Sequence, residues 1–528
     1  MKKIAIVLFA VAALAAGCKK FTDINNNPNQ PTFVTPNVVL SAALQGSGAQ
    51  LAGGFFQTTR WMGSMARSGN FIQTIPTETY SIAADFADGD FQALYSVLGR
   101  YNYIEHNSNG DPFYVGVGKT MKAFHFAMVV DGFNNVPYSQ AFNLAKYPNP
   151  KYDDAASIYA DLITQLDSAV IEFGAAKAFY VTSPGTVRIN DDKYDIMFGR
   201  GAGGSDIAAA DARLLVWIRF ANTVKLKLLM NERLVVTPAY IHAELAKVTA
   251  NGQGYITAGE SAAVNPGYTK SSAAQQNPFY GAFINTSGNP TNTASFFRAN
   301  QYFINFCTKT GDDRKTDVYS TVGGNQVGNF DGDPNALTNT FTSTLGPGVL
   351  QSDSQDELLL SDFESLFIQA EAVQLGFTEV SGSSAAALAR TATEQSYVYL
   401  NDNGDGNAAA SAANGDAFLD GDTGDAKTDV SVSGLQAIMT LKWAALVCIN
   451  WEQSYTDYRR TGFPKPDGTT FGFSLANNVI HHTNPTTGLT VNFPYRYLYP
   501  QSEINTNGKN IPAGTNAYTA VFWDTQEK

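Results

Sequence analysis

Several residue spacings in this chain could carry chemistry. Asn401, Asn403, Asp405 and Gly406 repeat the opening of a calcium loop, in which oxygen ligands alternate around a glycine turn. The twelfth position holds Ala412 where a bidentate acid is required, so a complete EF-hand is excluded. Asp416, Asp420, Asp422 or Asp425 could complete an irregular site holding structural calcium, and the competing reading is an unmetallated acidic loop. The thiols Cys307 and Cys448 sit in apolar runs, and a thiol catalyst would need one of His106, His125, His242, His481 or His482 beside it. Nothing in the sequence brings one there, so both read as buried free thiols. A glycosidase needs two carboxylates about 5–10 Å apart, yet 47 acidic residues offer no way to choose a pair. Neither HExxH nor a nucleophile elbow appears, so the expectation is a protein without catalysis.

The other candidate chemistry is recognition by stacking. The chain carries 34 Phe, 25 Tyr and 5 Trp, and aromatic faces can fill a core or cover an apolar ligand surface. The stretch from Trp61 to Phe71, followed by Tyr80, mixes aromatic rings with Arg67 and Asn70, which could satisfy sugar hydroxyls. Trp61 is the leading platform candidate, with burial in the core as its alternative. A second loop, 314–329, contains Tyr319, Asn325, Gln326 and Asn329. The formal charge of −12 repels a phosphate backbone, and no basic stripe offsets it, which excludes nucleic acid as a partner.

The N-terminus says where such a surface would operate. Lys2 and Lys3 precede an apolar and small-residue run, Ile4 to Gly17, too short for the roughly 20 residues of a membrane span. The run closes on Leu14-Ala15-Ala16-Gly17-Cys18, which resembles a bacterial lipobox, although Ala15 stands where Leu is usual. Residues 1–17 are therefore expected to be a signal peptide and Cys18 the lipidated first residue of a single mature domain, 18–528.

Helices must position these residues. Ile158, Leu162, Leu166 and Ala169 recur at three and four, with Tyr159, Ile163 and Val170 widening the stripe. Leu214, Ile218, Ala221, Val224 and Leu228 mark a helix over about 211–231, with Trp217 beside the stripe. Phe363, Leu366, Phe367, Ala370 and Val373 mark another, ending at Gly376, and Leu435 to Ile449 one more. Earlier helices are expected at 36–52, 86–106 and 118–132. The Gly-, Ser- and Asn-rich interval 249–294 and the Gly- and Asp-rich interval 401–433 read as loops or irregular excursions. No long stretch alternates as a sheet would, so the class is all-α with little β.

Ordered blocks along the chain carry a resemblance. They include Phe21-Thr22-Asp23-Ile24-Asn25-Asn26-Asn27-Pro28-Asn29, Val130-Asp131-Gly132-Phe133-Asn134-Asn135-Val136-Pro137-Tyr138, and Trp217-Ile218-Arg219-Phe220-Ala221-Asn222. Asp312-Asp313-Arg314, Tyr458-Arg459-Arg460-Thr461-Gly462-Phe463-Pro464 and Arg496-Tyr497-Leu498-Tyr499-Pro500 continue the series. Together they closely resemble the SusD/RagB family of outer-membrane nutrient-binding lipoproteins, with Asp313 replacing the proline of an Asp-Pro-Arg signature. The resemblance implies tetratricopeptide-like helix pairs beneath a less regular ligand-binding part, and no required cofactor. It also implies a lipid anchor in the outer membrane facing the exterior, and delivery of oligosaccharide to a SusC-like TonB-dependent transporter. Capture of peptide or another nutrient, and a surface adhesin, are the alternatives. Asp131, Pro137, Tyr138 and Tyr152 read as architectural, and Arg459, Arg460, Arg496 and Glu503 as ion pairs fixing the C-terminal segment.

Overall fold

The computed structural model describes residues 34–73, 75–78, 80–182, 191–199, 207–402, 404, 406–464, 481–483 and 490–525. Helices form where apolar stripes and caps coincide. α1 (Pro36–Gly53) and α3 (Pro112–Phe133) each open on a proline, whose missing N–H is not needed there. α2 (Asp88–His106) carries Asp88 and Asp90 in its first turn, and the Asp111 side chain accepts from the Phe113 N–H to cap α3. α4 (Ala155–Thr182) and α5 (Ile207–Glu232) bury the stripes read from the sequence, with Ile158, Leu162, Leu166, Leu214, Trp217 and Leu228 all in the core. α1 packs on α2, α2 on α3, α3 on α4 and α4 on α5, a run of neighbouring helix pairs.

α6 (Pro238–Asn251) follows, then α7 (Gln301–Thr310). A second hydrophobic cluster gathers α8 (Asp362–Gln374), α9 (Ala385–Leu400), α10 (Ala408–Gly421) and α11 (Leu435–Leu446). α12 (Trp451–Thr461) packs on α11. The helical repeat and scarcity of strand agree with the expected class. Among the described residues, strands occur as short antiparallel pairs: β1 (Met65–Arg67), β2 (Val136–Pro137), β3 (Tyr152–Asp153), β4 (Ala262–Val264), β5 (Phe297–Ala299), β6 (Glu357–Leu360), β7 (His481–Thr483) and β8 (Thr490–Asn492), joined as β1–β5, β2–β3, β4–β6 and β7–β8.

Three features differ from the sequence reading. The interval 401–433 is not a loop throughout, because Ala408 to Ala413 is rich in the strongest helix former and Asn407 caps α10 by accepting from the Ala410 N–H. α11 does not run on to Ile449: Cys448 takes a positive φ of 61°, and α12 restarts under an Asn450 cap. α9 and α12 are helices that the sequence reading did not mark. α9 buries Leu388, Tyr397 and Leu400 together with Ala389, Ala392, Thr393 and Ser396. α12 buries Trp451, Tyr455 and Tyr458 at helical spacing and adds buried charge, with Arg460 paired to Glu371 and Asp457, and Lys442 also on Asp457.

The residues read as architectural tie distant segments together, but among the described residues Arg460 alone of the four expected ion-pair residues forms ion pairs, while Arg459, Arg496 and Glu503 act through hydrogen bonds. Asp131 accepts from the Tyr159 hydroxyl and from Trp523 Nε1 at 2.8 Å. Arg459 donates to the carbonyls of Asp131 and Tyr495, and Arg496 to that of Phe133. Glu503 accepts from the Tyr152 hydroxyl at 2.8 Å. Arg314, fully buried, pairs with Asp312 at 2.6 Å and lies against the rings of Tyr397 and Phe418. Cys307 and Cys448 are buried free thiols, and burial pushes both up.

Candidate functional site

Two loops far apart in sequence meet beside the β1–β5 pair. The register Met65↔Ala299, Ala66↔Arg298 and Arg67↔Phe297 fixes where the first loop, 68–73, leaves the strand. Ser68 N–H donates to the Phe296 carbonyl at 2.8 Å and Gly69 N–H to the Leu337 carbonyl at 2.9 Å, which ties that loop to the second, 329–342. A Cβ at Gly69 would sit 1.9 Å from the Ala336 carbonyl oxygen, so this close approach requires glycine. Asn329 works as a staple: its Nδ2 donates to the carbonyls of Arg67 and Leu337, and its Oδ1 accepts from the Leu337 N–H at 2.8 Å. Asn70 Oδ1 accepts from the Asn339 N–H at 2.7 Å.

Beneath the loops lies a buried charge cluster. Arg60 pairs with Glu78 and Asp331, each at 2.6 Å, and Arg67 pairs with Glu78 at 2.7 Å. Arg67 also donates to the carbonyls of Phe71 and Asp333, one on each loop. Burial pushes Asp331 up to about 6, with the Arg60 charge opposing that rise. Arg298 donates to the carbonyls of Ala294, Asn339 and Thr342, which secures the far side of the second loop.

This rigid base displays apolar side chains to solvent. Phe71 is 37% exposed, Ile72 90%, Leu337 44% and Phe341 60%, which puts four apolar side chains in water on two joined loops. Phe71 stands edge-on to half-buried Phe296 at 5.1 Å between ring centroids. Exposed Asn70 and Asn335, with half-buried Gln73 and Asn339, put amide donors and acceptors beside the rings. Rings with neighbouring amides can cover the C–H face of a sugar while meeting its hydroxyls.

The structure divides the sequence candidates. Asn70 and Phe71 reach the surface. Trp61 does not, and the platform expectation is corrected here: it is 1% exposed, stacked on Phe86 at 5.4 Å, ringed by Tyr80, Tyr455 and Phe493, and donates Nε1 to the Thr77 carbonyl. Stacking on a ligand needs an open face, and both of its faces are taken. Tyr80 is buried in the same cluster. Arg67 is buried and supports the loops from below. Tyr319 is fully buried, its hydroxyl donating to the Ser64 carbonyl at 2.5 Å. Sequence reasoning missed Ile72, Phe296, Leu337 and Phe341. The signal available for the last two was a lone apolar residue within a turn-forming run, Gly332 to Thr342.

Cys18, Asn403 and Asp405 lie outside the described residues. Asn401 closes α9 in the left-handed conformation, and its Oδ1 accepts from the Gly406 N–H. The acids that would complete a calcium cage are engaged otherwise: Asp416 and Asp420 with Arg390, Asp422 with Thr428, and Asp425 with the Lys427 N–H. Among the described residues no group of three or more His, Cys, Asp or Glu could hold a metal ion. Among them, too, no helix is long and apolar enough to cross a membrane.

The sequence model of one protein family, described as SusD-like, starch-binding associating with the outer membrane, matches residues 28–500. No curated protein matches in sequence. Solved structures do match in fold. A SusD/RagB family protein from Bacteroides thetaiotaomicron is 18% identical, with a TM-score of 0.67 over 94% of this chain and 100% of that one. A chitin-binding SusD homolog from Flavobacterium johnsoniae is 19% identical, with a TM-score of 0.68 over 93% and 99%. A SusD homolog from Bacteroides fragilis is 16% identical, with a TM-score of 0.67 over 94% and 100%.

Proposed function

The chain belongs to the SusD-like family of outer-membrane-associated binding proteins, and from that premise we propose that it captures a neutral or weakly charged oligosaccharide on the 68–73/329–342 surface and passes it to a SusC-like TonB-dependent transporter. The observation that carries the site is the exposure of Phe71, Ile72, Leu337 and Phe341 on loops joined by the Gly69–Leu337 main-chain bond and by the Asn70 and Asn329 side chains. A preformed surface of this kind binds without first ordering itself, so little affinity is lost to loop entropy. The formal charge of −12 disfavours strongly anionic glycans.

Titration of the purified protein against a glycan panel, followed by Phe71→Ala and Phe341→Ala, tests this. Each substitution is expected to weaken binding by about 1–3 kcal/mol, roughly 5- to 150-fold in Kd, with unfolding unchanged in Phe341→Ala, whose ring is largely exposed, and only slightly lowered in Phe71→Ala, which loses its contact with Phe296. Saturable binding of peptide instead of sugar would keep capture and change the cargo. Unchanged sugar affinity in both variants would remove this surface from the proposal.

The anchor belongs to the same reading. Mass spectrometry of the mature protein is expected to show a chain beginning at Cys18 with added acyl mass, since two or more chains are needed for stable membrane attachment. A mature terminus without acyl mass would leave transporter association as its only tie to the membrane.

A further inference from the structure

Among the described residues, two roomy clefts lie apart from the sugar surface, and their polar groups differ in one respect. In the first, of about 420 Å³ and lined by Phe91, Tyr95, Phe142 and Glu503, the carboxylate is already taken by the Tyr152 hydroxyl and by Asn507. The second, of about 450 Å³, lies between α4, the end of α5 and the start of α6, with Ala160, Val235, Val236, Tyr240 and Phe522 as walls. Glu232 lines it too, at 3% exposure, and its Oε1 is buried with no hydrogen-bond partner.

That carboxyl is poorly served by its own protein. It occupies the last residue of α5, where the helix dipole disfavours a negative charge. The nearby cations are committed elsewhere: Lys225 and Lys247 each pair with both Asp167 and Glu244, at 2.5–2.9 Å. Burial, followed by the Glu244 charge, pushes Glu232 up to about 7. An unpaired buried carboxylate is costly, and a donor that reaches its other oxygen from the cleft would offset part of that cost.

We propose that this cleft is a second binding site, specific for a primary ammonium on an aliphatic stem. The walls of Ala160, Val235, Val236 and Phe522 cover methylenes, and the ammonium donates to the Glu232 carboxylate. With Oε1 shut away, the two-pronged guanidinium loses its bidentate fit, whereas a compact ammonium needs one oxygen. The ammonium can come from a free amine or from a lysine side chain of a bound protein.

Calorimetric titration of the full-length protein at pH 8 with n-pentylamine, Nα-acetyl-lysine methylamide and pentan-1-ol tests the site. Saturable binding of at least one amine is expected, with pentan-1-ol at least about tenfold weaker, because the charged hydrogen bond is absent. Binding of the lysine derivative alone assigns the site to a partner's side chain, and of pentylamine alone to a small free amine. Glu232→Gln should weaken the amine by at least about tenfold. Ala160→Trp, which fills the cleft from an exposed position, should abolish binding with thermal unfolding unchanged, even if Glu232→Gln alters the fold. No saturable amine binding, or amine binding that survives Ala160→Trp, overturns the proposal. Sugar binding at Phe71 and Phe341 is read separately and stays unaffected in either case.

Discussion

Arg60→Ala is expected to lower the unfolding free energy by about 3–5 kcal/mol and to abolish sugar binding together with it. Arg60 is fully buried between Glu78 and Asp331, and its removal leaves two carboxylates in a dry site with Arg67 as their remaining guanidinium. Arg67 cannot serve both and still hold the carbonyls of Phe71 and Asp333, so the loops lose their common base. Urea unfolding gives the stability loss, and sugar titration at a temperature where the variant remains folded gives the loss of the binding surface. A destabilisation below about 1 kcal/mol would show that water or rearrangement satisfies the carboxylates, and would sink the view of this cluster as the base of the site.

Arg460→Ala should cost a similar amount, about 3–5 kcal/mol, without acting on the sugar surface directly. Its guanidinium joins α12 to Glu371 of α8 while also meeting Asp457 at 2.6 Å. α12 buries Glu452, Asp457, Arg459 and Arg460 beside Trp451, Tyr455 and Tyr458, so its packing depends on paired charge as well as on apolar area. Lys442 and Arg460 outweigh the effect of burial and hold Asp457 down at about 2. Its folded value lies below the ordinary carboxylate range, so its contribution is present above that range and is lost as pH falls toward 2. Arg460→Lys should recover only part of the loss, since a point charge does not reproduce the two-pronged contact with Glu371. Equal stability of wild type and Arg460→Ala in urea at pH 7 would contradict this assignment.

The sequence by itself determined the helices whose stripes use large apolar residues, the buried thiols, the C-terminal arginine anchors and the family. These are legible because they depend on local spacing: Ile158, Leu162 and Leu166 lie on one face of any helix they form. Residue type also marked 61–71 as a region of mixed rings and amides. Tertiary structure alone decided which of those rings meets water. Trp61 and Phe71 are ten residues apart in similar company, yet Trp61 is closed in by Phe86, Tyr455 and Phe493, and Phe71 is left open. The second half of the surface, Leu337 and Phe341, reaches the first through Asn329 and through the Asn339–Asn70 bond, which spans 269 residues. Helix α12 went unmarked although Trp451, Tyr455 and Tyr458 recur at helical spacing, and the partners of its buried charges, Glu371 and Lys442, come from other helices. Burial is a property of what packs across a side chain, and for these residues the covering atoms come from distant parts of the chain, where no local pattern can record them.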